Sequence, residues 1–394
     1  MQNAPTSPVR ILMGPGPSDV HPRVLAAMAR PTVGHLDPYF SLLMDETKEL
    51  MRYAFRTKND VVLPASAPGS AGMEMCFVNL LEPGDKVIVA INGVFGGRMK
   101  ENVERCGAEA IVVDHEWGKP VDVERVAAAF RAHSKVKVLA FVHAETSTGV
   151  RSDAAALCAL AREHGALTIV DTVTSLGGIP VEVDAWGADA VYSGTQKCIS
   201  APPGLSPVTF SARAVEAVKA RKKKVQSWFL DLTLVLSYWG GKDARSYHHT
   251  APVNAIYGFN EALQMLREEG LEQSFKRHAR YYQGLRAGLE ALGFRFLVDE
   301  QYRLPQLSTV YLPEGLEDAK TRRFLLDEFG IEVGGGLGQF AGKLWRIGLM
   351  GQSASRRNVI TLLSGIEAAL VPVKGRAIAG KGTGAANEAL SAGL

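Results

Sequence analysis

Two apolar, strand-like runs end in residues that could do chemistry together. Ala166-Leu167-Thr168-Ile169-Val170 runs into Asp171, and Ala188–Ser193 leads through Gly194-Thr195-Gln196 to Lys197. A lysine amine can hold an aldehyde as a Schiff base, and a carboxylate can keep a pyridine nitrogen protonated, which makes the ring an electron sink. The pair therefore suits pyridoxal 5'-phosphate. Many α/β proteins also end strands in Asp or Lys for solubility alone, so the reading needs the elements that would bring the two side chains together.

Those elements are legible as an alternation. Strand-like runs at Val61–Leu63, Lys86–Ile91, Ala110–Val113, Val136–Val142, Leu167–Asp171, Ala188–Ser193 and Ser206–Phe210 are separated by helical patterns. The helices read at Ser70–Leu81, Val94–Arg105, Val123–Ala132 and Asp153–His164. This order predicts an α/β fold with a mostly parallel sheet, helices on both faces and a ligand at the carboxyl ends of the strands. Beyond residue 250 the pattern changes. Long helices at Asn254–Glu269 and Leu271–Leu292 precede short strands at Phe294–Val298, Leu307–Leu312, Ile331–Val333 and Lys343–Leu349, a helix at Ala319–Phe329 and another from Ala354 to about Val371. We expect an N-terminal arm (1–12), a large domain (13–269), a smaller C-terminal α+β domain (270–373) and a loose Gly- and Ala-rich tail (374–394).

Further residues at these strand ends have two readings each. Ala67-Pro68-Gly69-Ser70 opens a helix and is either an anion site at its N-terminus or an ordinary connection. Phe95 could stack on a flat heteroaromatic ring or simply fill the core. Thr146, in His143-Ala144-Glu145-Thr146-Ser147-Thr148-Gly149, could reach a coenzyme or belong to a capped turn. Met13-Gly14-Pro15-Gly16-Pro17-Ser18 is a rigid loop, with or without a ligand to face. Arg346, on a strand of the second domain, is a carboxylate clamp or a surface arginine. Adjacent His248 and His249 are a poor metal pair, and no metal site is expected. Cys198, beside Lys197, reads as a small buried residue.

The 394 residues, 46% hydrophobic, suffice for a large core, and a net charge of +3 is too weak to argue for nucleic acid. No membrane span is expected, and Met1-Gln2-Asn3-Ala4-Pro5 lacks the pattern of a secretory signal. Ala392-Gly393-Leu394 is not a peroxisomal address. Four scattered cysteines suggest the reducing cytoplasm.

Taken together, Gly194-Thr195-Gln196-Lys197, Ala201-Pro202-Pro203-Gly204, Val170-Asp171-Thr172-Val173 and Tyr247-His248-His249-Thr250-Ala251-Pro252 resemble the class V aminotransferases of pyridoxal-phosphate fold type I. The likeness is greatest to the alanine–glyoxylate (serine–pyruvate) branch and runs from about Ile11 to about Leu370. It implies that Lys197 carries the coenzyme and Asp171 holds its ring nitrogen. Gly69, Ser70 and Gln196 would bind the phosphate, with Tyr247 and Thr250 reaching in from the other subunit of a homodimer. Phe95, Thr146 and Val173 would line the coenzyme, and Gly16 and Arg346 would meet the substrate.

Phe95 stands where that branch often has Trp, Ala67-Pro68-Gly69-Ser70 departs from its Ser/Gly/His turn, and Thr146 replaces a Ser. The (S)-ureidoglycine–glyoxylate branch shares the Phe but carries Gln in place of His35 and Asn in place of Tyr247. Those amides would suit a ureido group, so their absence favours alanine or serine as donor. Other enzymes of this scaffold remain as alternatives: a lyase or hydrolase, or a desulfurase, which would need a late cysteine that this chain lacks after Cys198. A dehydrogenase is disfavoured because no G-x-G-x-x-G follows the first strand.

Overall fold

The computed structural model describes residues 7–240 and 245–392. Part of the expected N-terminal arm (residues 1–6, including the Met1–Pro5 segment) and the last two residues, Gly393 and Leu394, lie outside the described residues.

The main sheet has seven strands: β1 (Val61–Ala65), β2 (Lys86–Ile91), β3 (Glu109–Asp114), β4 (Val136–Val142), β5 (Leu167–Asp171), β6 (Ala190–Tyr192) and β7 (Ser206–Phe210). Their order across the sheet is β1-β7-β6-β5-β4-β2-β3. The pairs β2–β3, β2–β4, β4–β5 and β5–β6 are parallel, whereas β7 runs antiparallel to both β6 and β1. The sheet is thus mostly parallel, as expected, with one reversed strand. The inner strands β5, β6 and β7, and the edge strand β1 too, are buried along their whole length, which is why they do not read as clean alternations.

The connecting helices follow their capping residues. Asp122, Asp153 and Ser211 each accept a backbone N–H of the first turn of the helix that follows, the usual stabilising N-cap. Two further helices, α1 (Gly69–Leu80) and α2 (Val94–Arg105), start without a side-chain cap.

The second sheet joins Arg295–Phe296, Leu307–Tyr311, Leu344–Gly348 and Gly334–Gly335, all antiparallel. It has its own core, including Trp345, Ile347, Leu325, Leu362 and Ile366. Ile11–Leu12 pairs in parallel with Ile331–Glu332, and Met13 is buried in this same cluster. The start of the chain is therefore stitched to its C-terminal half.

The tail is a correction to the sequence reading. Lys381–Ser391 is a helix, not a loose extension. It packs on the Leu271–Ala291 helix at two glycines: a Cβ on Gly284 would come within 2.7 Å of Leu390, and one on Gly288 within 2.3 Å of Leu363 and 2.9 Å of the Gly382 carbonyl. The small residues that hid the periodicity are the ones that allow close approach. Ala386 and Leu390 are buried. The Glu367 carboxylate accepts from the Gly380 and Thr383 amides at 2.9 and 2.7 Å, capping the helix from outside. Burial of Leu390 alone is worth about 1.5–3 kcal/mol.

Among the described residues, no helix is long and apolar enough to cross a membrane.

Candidate active site

Sheet topology brings the candidate residues together. β4, β5 and β6 end side by side, with Val142 registered on Asp171 and Asp171 on Tyr192. The chain then turns through Gly194–Lys197 before β7 leads away. The opposite edge of the same region is formed by the N-termini of α1, after β1, and α2, after β2.

Asp171 is buried (3% exposed). Its Oδ1 accepts from the Val173 amide at 2.8 Å and its Oδ2 from the Tyr192 hydroxyl at 2.7 Å. Burial pushes its carboxyl up to about 6, opposed by the Tyr192 and Val173 hydrogen bonds and by the charges of Lys197 and Arg98.

Lys197 is buried, and burial followed by the nearby Arg346 charge brings its amine down to about 8. It is held by the N-terminal loop. Nζ donates to the Pro15 carbonyl, Ser18 Oγ donates to the Lys197 carbonyl at 2.7 Å, and the Ser18 amide donates to the Gln196 carbonyl at 2.9 Å. Gly16 lies directly against the lysine: with φ +107°, a Cβ there would stand 2.5 Å from Nζ. The backbone conformation favours glycine, and a Cβ here would push the lysine side chain aside.

Arg346 is also buried, on the Leu344–Gly348 strand. Its Nε donates to the Gly335 carbonyl at 2.8 Å and one terminal nitrogen to the Thr146 carbonyl at 3.4 Å. Burial lowers its guanidinium to about 10, partly offset by Glu145. Thr146 is buried, with its hydroxyl bonded to that of Thr174. Val173 lies beside Gly69, at whose position a Cβ would be 3.3 Å from a Val173 methyl.

Ser70, at the start of α1, is exposed and accepts from Arg98 at 2.8 Å. Arg98 in turn lies over the Phe95 ring, 4.9 Å from its centroid. Tyr247 and Thr250 are the exceptions. Tyr247 is 63% exposed and packs on the His35 ring, and Thr250 is exposed. Neither is hydrogen-bonded to the Asp171–Lys197 centre among the described residues. Their loop does reach the β1–α1 connection, because His249 Nε2 is 2.7 Å from Ser66 Oγ.

Cys198 is buried and its thiol is pushed up to about 12, so it is unreactive. No group of three or more His, Cys, Asp or Glu among the described residues is placed to hold a metal.

Three residues escaped the sequence reading. Tyr192 needed the β5–β6 register to be seen as a partner of Asp171. Arg98 lies one turn after Phe95 and so on the same face, which is a readable signal. Glu145, fully buried with Oε2 unpartnered, has its carboxyl pushed up to about 7 by burial; an acid inside an apolar-flanked stretch was the clue.

The residues fit a phosphorylated pyridine aldehyde. An uncapped helix N-terminus offers free amides to an anion, and the half-buried Gln196 amide, whose oxygen has no partner among the described residues, has an NH2 that can donate to the same anion. A lysine whose amine burial depresses, in the turn after one strand, and a carboxylate with one donor on each oxygen, at the end of the neighbouring strand, complete the set.

Comparisons with known proteins agree. Residues 16–343 match the family model for aminotransferase class-V. The chain is 38% identical to the (S)-ureidoglycine–glyoxylate transaminase of Bacillus subtilis, over 96% of this chain and 95% of that one. It is 40% identical to the alanine–glyoxylate aminotransferase of Oryctolagus cuniculus, over 92% and 93%. The crystal structure of alanine–glyoxylate aminotransferase from Nostoc sp. superposes with a TM-score of 0.91 at 44% identity, covering 94% of this chain and 98% of that one. A fold of this kind, this family match across most of the chain and relatives of this closeness place it firmly: the protein belongs to the class V aminotransferases and is a pyridoxal-phosphate-dependent transaminase.

Proposed function

We propose that this enzyme moves the amino group of a small amino acid, alanine or serine, to glyoxylate, giving glycine and the matching 2-oxo acid. The observation that carries the reading is the buried Arg346 guanidinium acting on Lys197, with the Gly16 loop packed against the same lysine. A guanidinium held there by its own carbonyl partners is placed to meet a carboxylate.

The bound coenzyme supplies an aldehyde that takes up amines and a ring that accepts the electron pair left when a Cα proton departs. Lys197 Nζ is the amine that would hold that aldehyde, and the same Nζ would be the base placed to take and return a proton at the substrate Cα; in the coenzyme-free protein its depressed basicity leaves a useful neutral fraction near pH 8. Asp171 would face the ring nitrogen, Gly69, Ser70 and Gln196 would bind the phosphate, Phe95 would pack on the ring, and Thr146 and Val173 would line it. Arg346 grips the carboxylate of donor and acceptor in turn.

Ureidoglycine as donor is the second reading, favoured by the Bacillus subtilis relative. Against it, the aromatic rings of His35 and Tyr247 pack together, 5.2 Å between centroids, at the positions where amides would serve a ureido group. In assays of alanine, serine, aspartate and ureidoglycine with glyoxylate, alanine or serine is expected to exceed ureidoglycine in kcat/KM by about ten-fold or more. Ureidoglycine as the best donor would transfer the enzyme to the second reading.

We also propose a homodimer with shared sites. Trp228, Tyr247, Tyr39, Leu42 and Leu36 are 62%, 63%, 50%, 71% and 45% exposed, large apolar side chains that a partner surface would cover. Trp228 stacks on His248, next to Tyr247 in the chain. Inactive Lys197→Ala and Tyr247→Ala/Thr250→Ala chains, when co-expressed, should form hybrids with one intact site and recover activity. Hybrids as inactive as the parents would rule out sharing. The four cysteines are free and buried, which supports a cytoplasmic location.

A further inference from the structure

Asp171 and Tyr192 are direct register partners on the parallel strands β5 and β6, and both side chains are buried, at 3% and 0% exposure. The Tyr192 hydroxyl reaches Asp171 Oδ2 at 2.7 Å, and the Val173 amide reaches Oδ1 at 2.8 Å. Each carboxylate oxygen therefore has one donor from the protein and keeps a lone pair for another. The two donors differ in kind. The amide is fixed backbone that any residue at 173 other than proline would supply, whereas the hydroxyl is a choice made by one side chain.

We propose that Tyr192 is a positioning residue that decides where the proton lies between Asp171 and the coenzyme ring nitrogen. The inference rests on the reading above that Asp171 faces that nitrogen. A ring nitrogen and a carboxylate in contact share one proton, and only the form with the proton on the ring makes a strong electron sink. A donor to the carboxylate stabilises its ionised form and so drives the proton to the ring. Tyr192 is suited to donate and nothing else. Burial and the neighbouring carboxylate raise its own phenol well above the usual tyrosine value, so it keeps its hydrogen.

The surroundings leave this task to Tyr192. The charges of Lys197 and Arg98 act on Asp171 from a distance without a hydrogen bond to it, and the Asp171 charge in turn raises the Glu145 carboxyl and the Cys76 thiol, which keep their protons more readily for it. Lys197 also gives up its free ammonium once it holds the coenzyme. The hydroxyl is the side-chain contact that stays.

Tyr192→Phe keeps the ring volume and removes only the hydroxyl. In the coenzyme-free protein, the 13C carboxyl signal of labelled Asp171 should titrate with a proton affinity about ten- to a hundred-fold higher than in the wild type. In the loaded protein, the 15N signal of ring-labelled coenzyme should move from the protonated toward the unprotonated position. In steady state, kcat should fall with little change in donor KM. An unmoved Asp171 titration and an unmoved 15N signal in Tyr192→Phe would overturn the inference. Asp171→Ala separates the two levels: if it also leaves the 15N signal where the wild type has it, then Asp171 does not face the ring and the underlying reading has failed. If Asp171→Ala moves the signal and Tyr192→Phe does not, only the role of Tyr192 is lost.

Discussion

Lys197→Met should lower turnover by at least about 10^4-fold, because it removes both the covalent anchor and the group that carries the Cα proton. The visible absorbance of the covalently held coenzyme should vanish with it. The loss has a physical asymmetry that makes the variant informative. Burial and the Arg346 charge depress the Lys197 amine from its usual 10.5 to about 8. A cation with a depressed folded value costs stability while the unfolded chain holds the proton more tightly. That cost is fully present below about pH 8 and fades as pH rises toward 10.5. Coenzyme-free Lys197→Met should therefore melt no lower than the coenzyme-free wild type near neutral pH, apart from the lost bond to the Pro15 carbonyl, and any advantage should shrink as pH rises. Activity close to wild type, or an unchanged visible band, would remove Lys197 from the chemistry.

How far the sequence reveals this site depends on which physical signal each residue leaves. β2, β4, β5 and β7 and the helix α2 occupy the residues read from the sequence. Buried parallel strands leave unbroken apolar runs, and helices beginning at Asp or Ser announce their starts. The reversal of β7 is also implicit in the chain. Between Tyr192 and Ser206 there is a turn-rich loop and no helix, and a parallel return needs a crossover, most often a helix. Arg346 leaves a weaker trace. Its neighbours Leu344, Trp345 and Ile347 are apolar on both faces of the strand, which argues against a surface strand and for a buried arginine. Three things leave none. The hydroxyl of Tyr192 meets Asp171 through strand register, which composition does not encode. The C-terminal helix is masked by the glycines that let it pack. Tyr247 and Thr250 sit on an exposed face of one chain, where a single sequence says nothing of what lies opposite.

Arg346→Met tests the substrate half of the site, and here function and stability should move in different directions. The guanidinium is fixed by the Gly335 and Thr146 carbonyls, which orients it before any substrate arrives. Loss of a buried, charge-assisted fork costs about 3–4 kcal/mol, so kcat/KM should fall about 10^2–10^3-fold. The fall should be similar for the amino donor and for glyoxylate, since both present a carboxylate to the same clamp. Arg346→Lys should recover little, because an ammonium cannot make the two-bond fork. If the donor alone suffered, the acceptor would have to be held elsewhere. The same burial that makes the clamp strong makes the free protein pay for it. Arg346 is brought down to about 10, so its charge is destabilising throughout the physiological range, and Glu145 only partly offsets this. The coenzyme-free methionine variant should therefore melt at or above the wild-type temperature while binding carboxylates far less well. A guanidinium kept against the interest of stability is one kept for its ligand. A variant that both unfolds readily and retains carboxylate affinity would instead make Arg346 a structural residue of the second sheet.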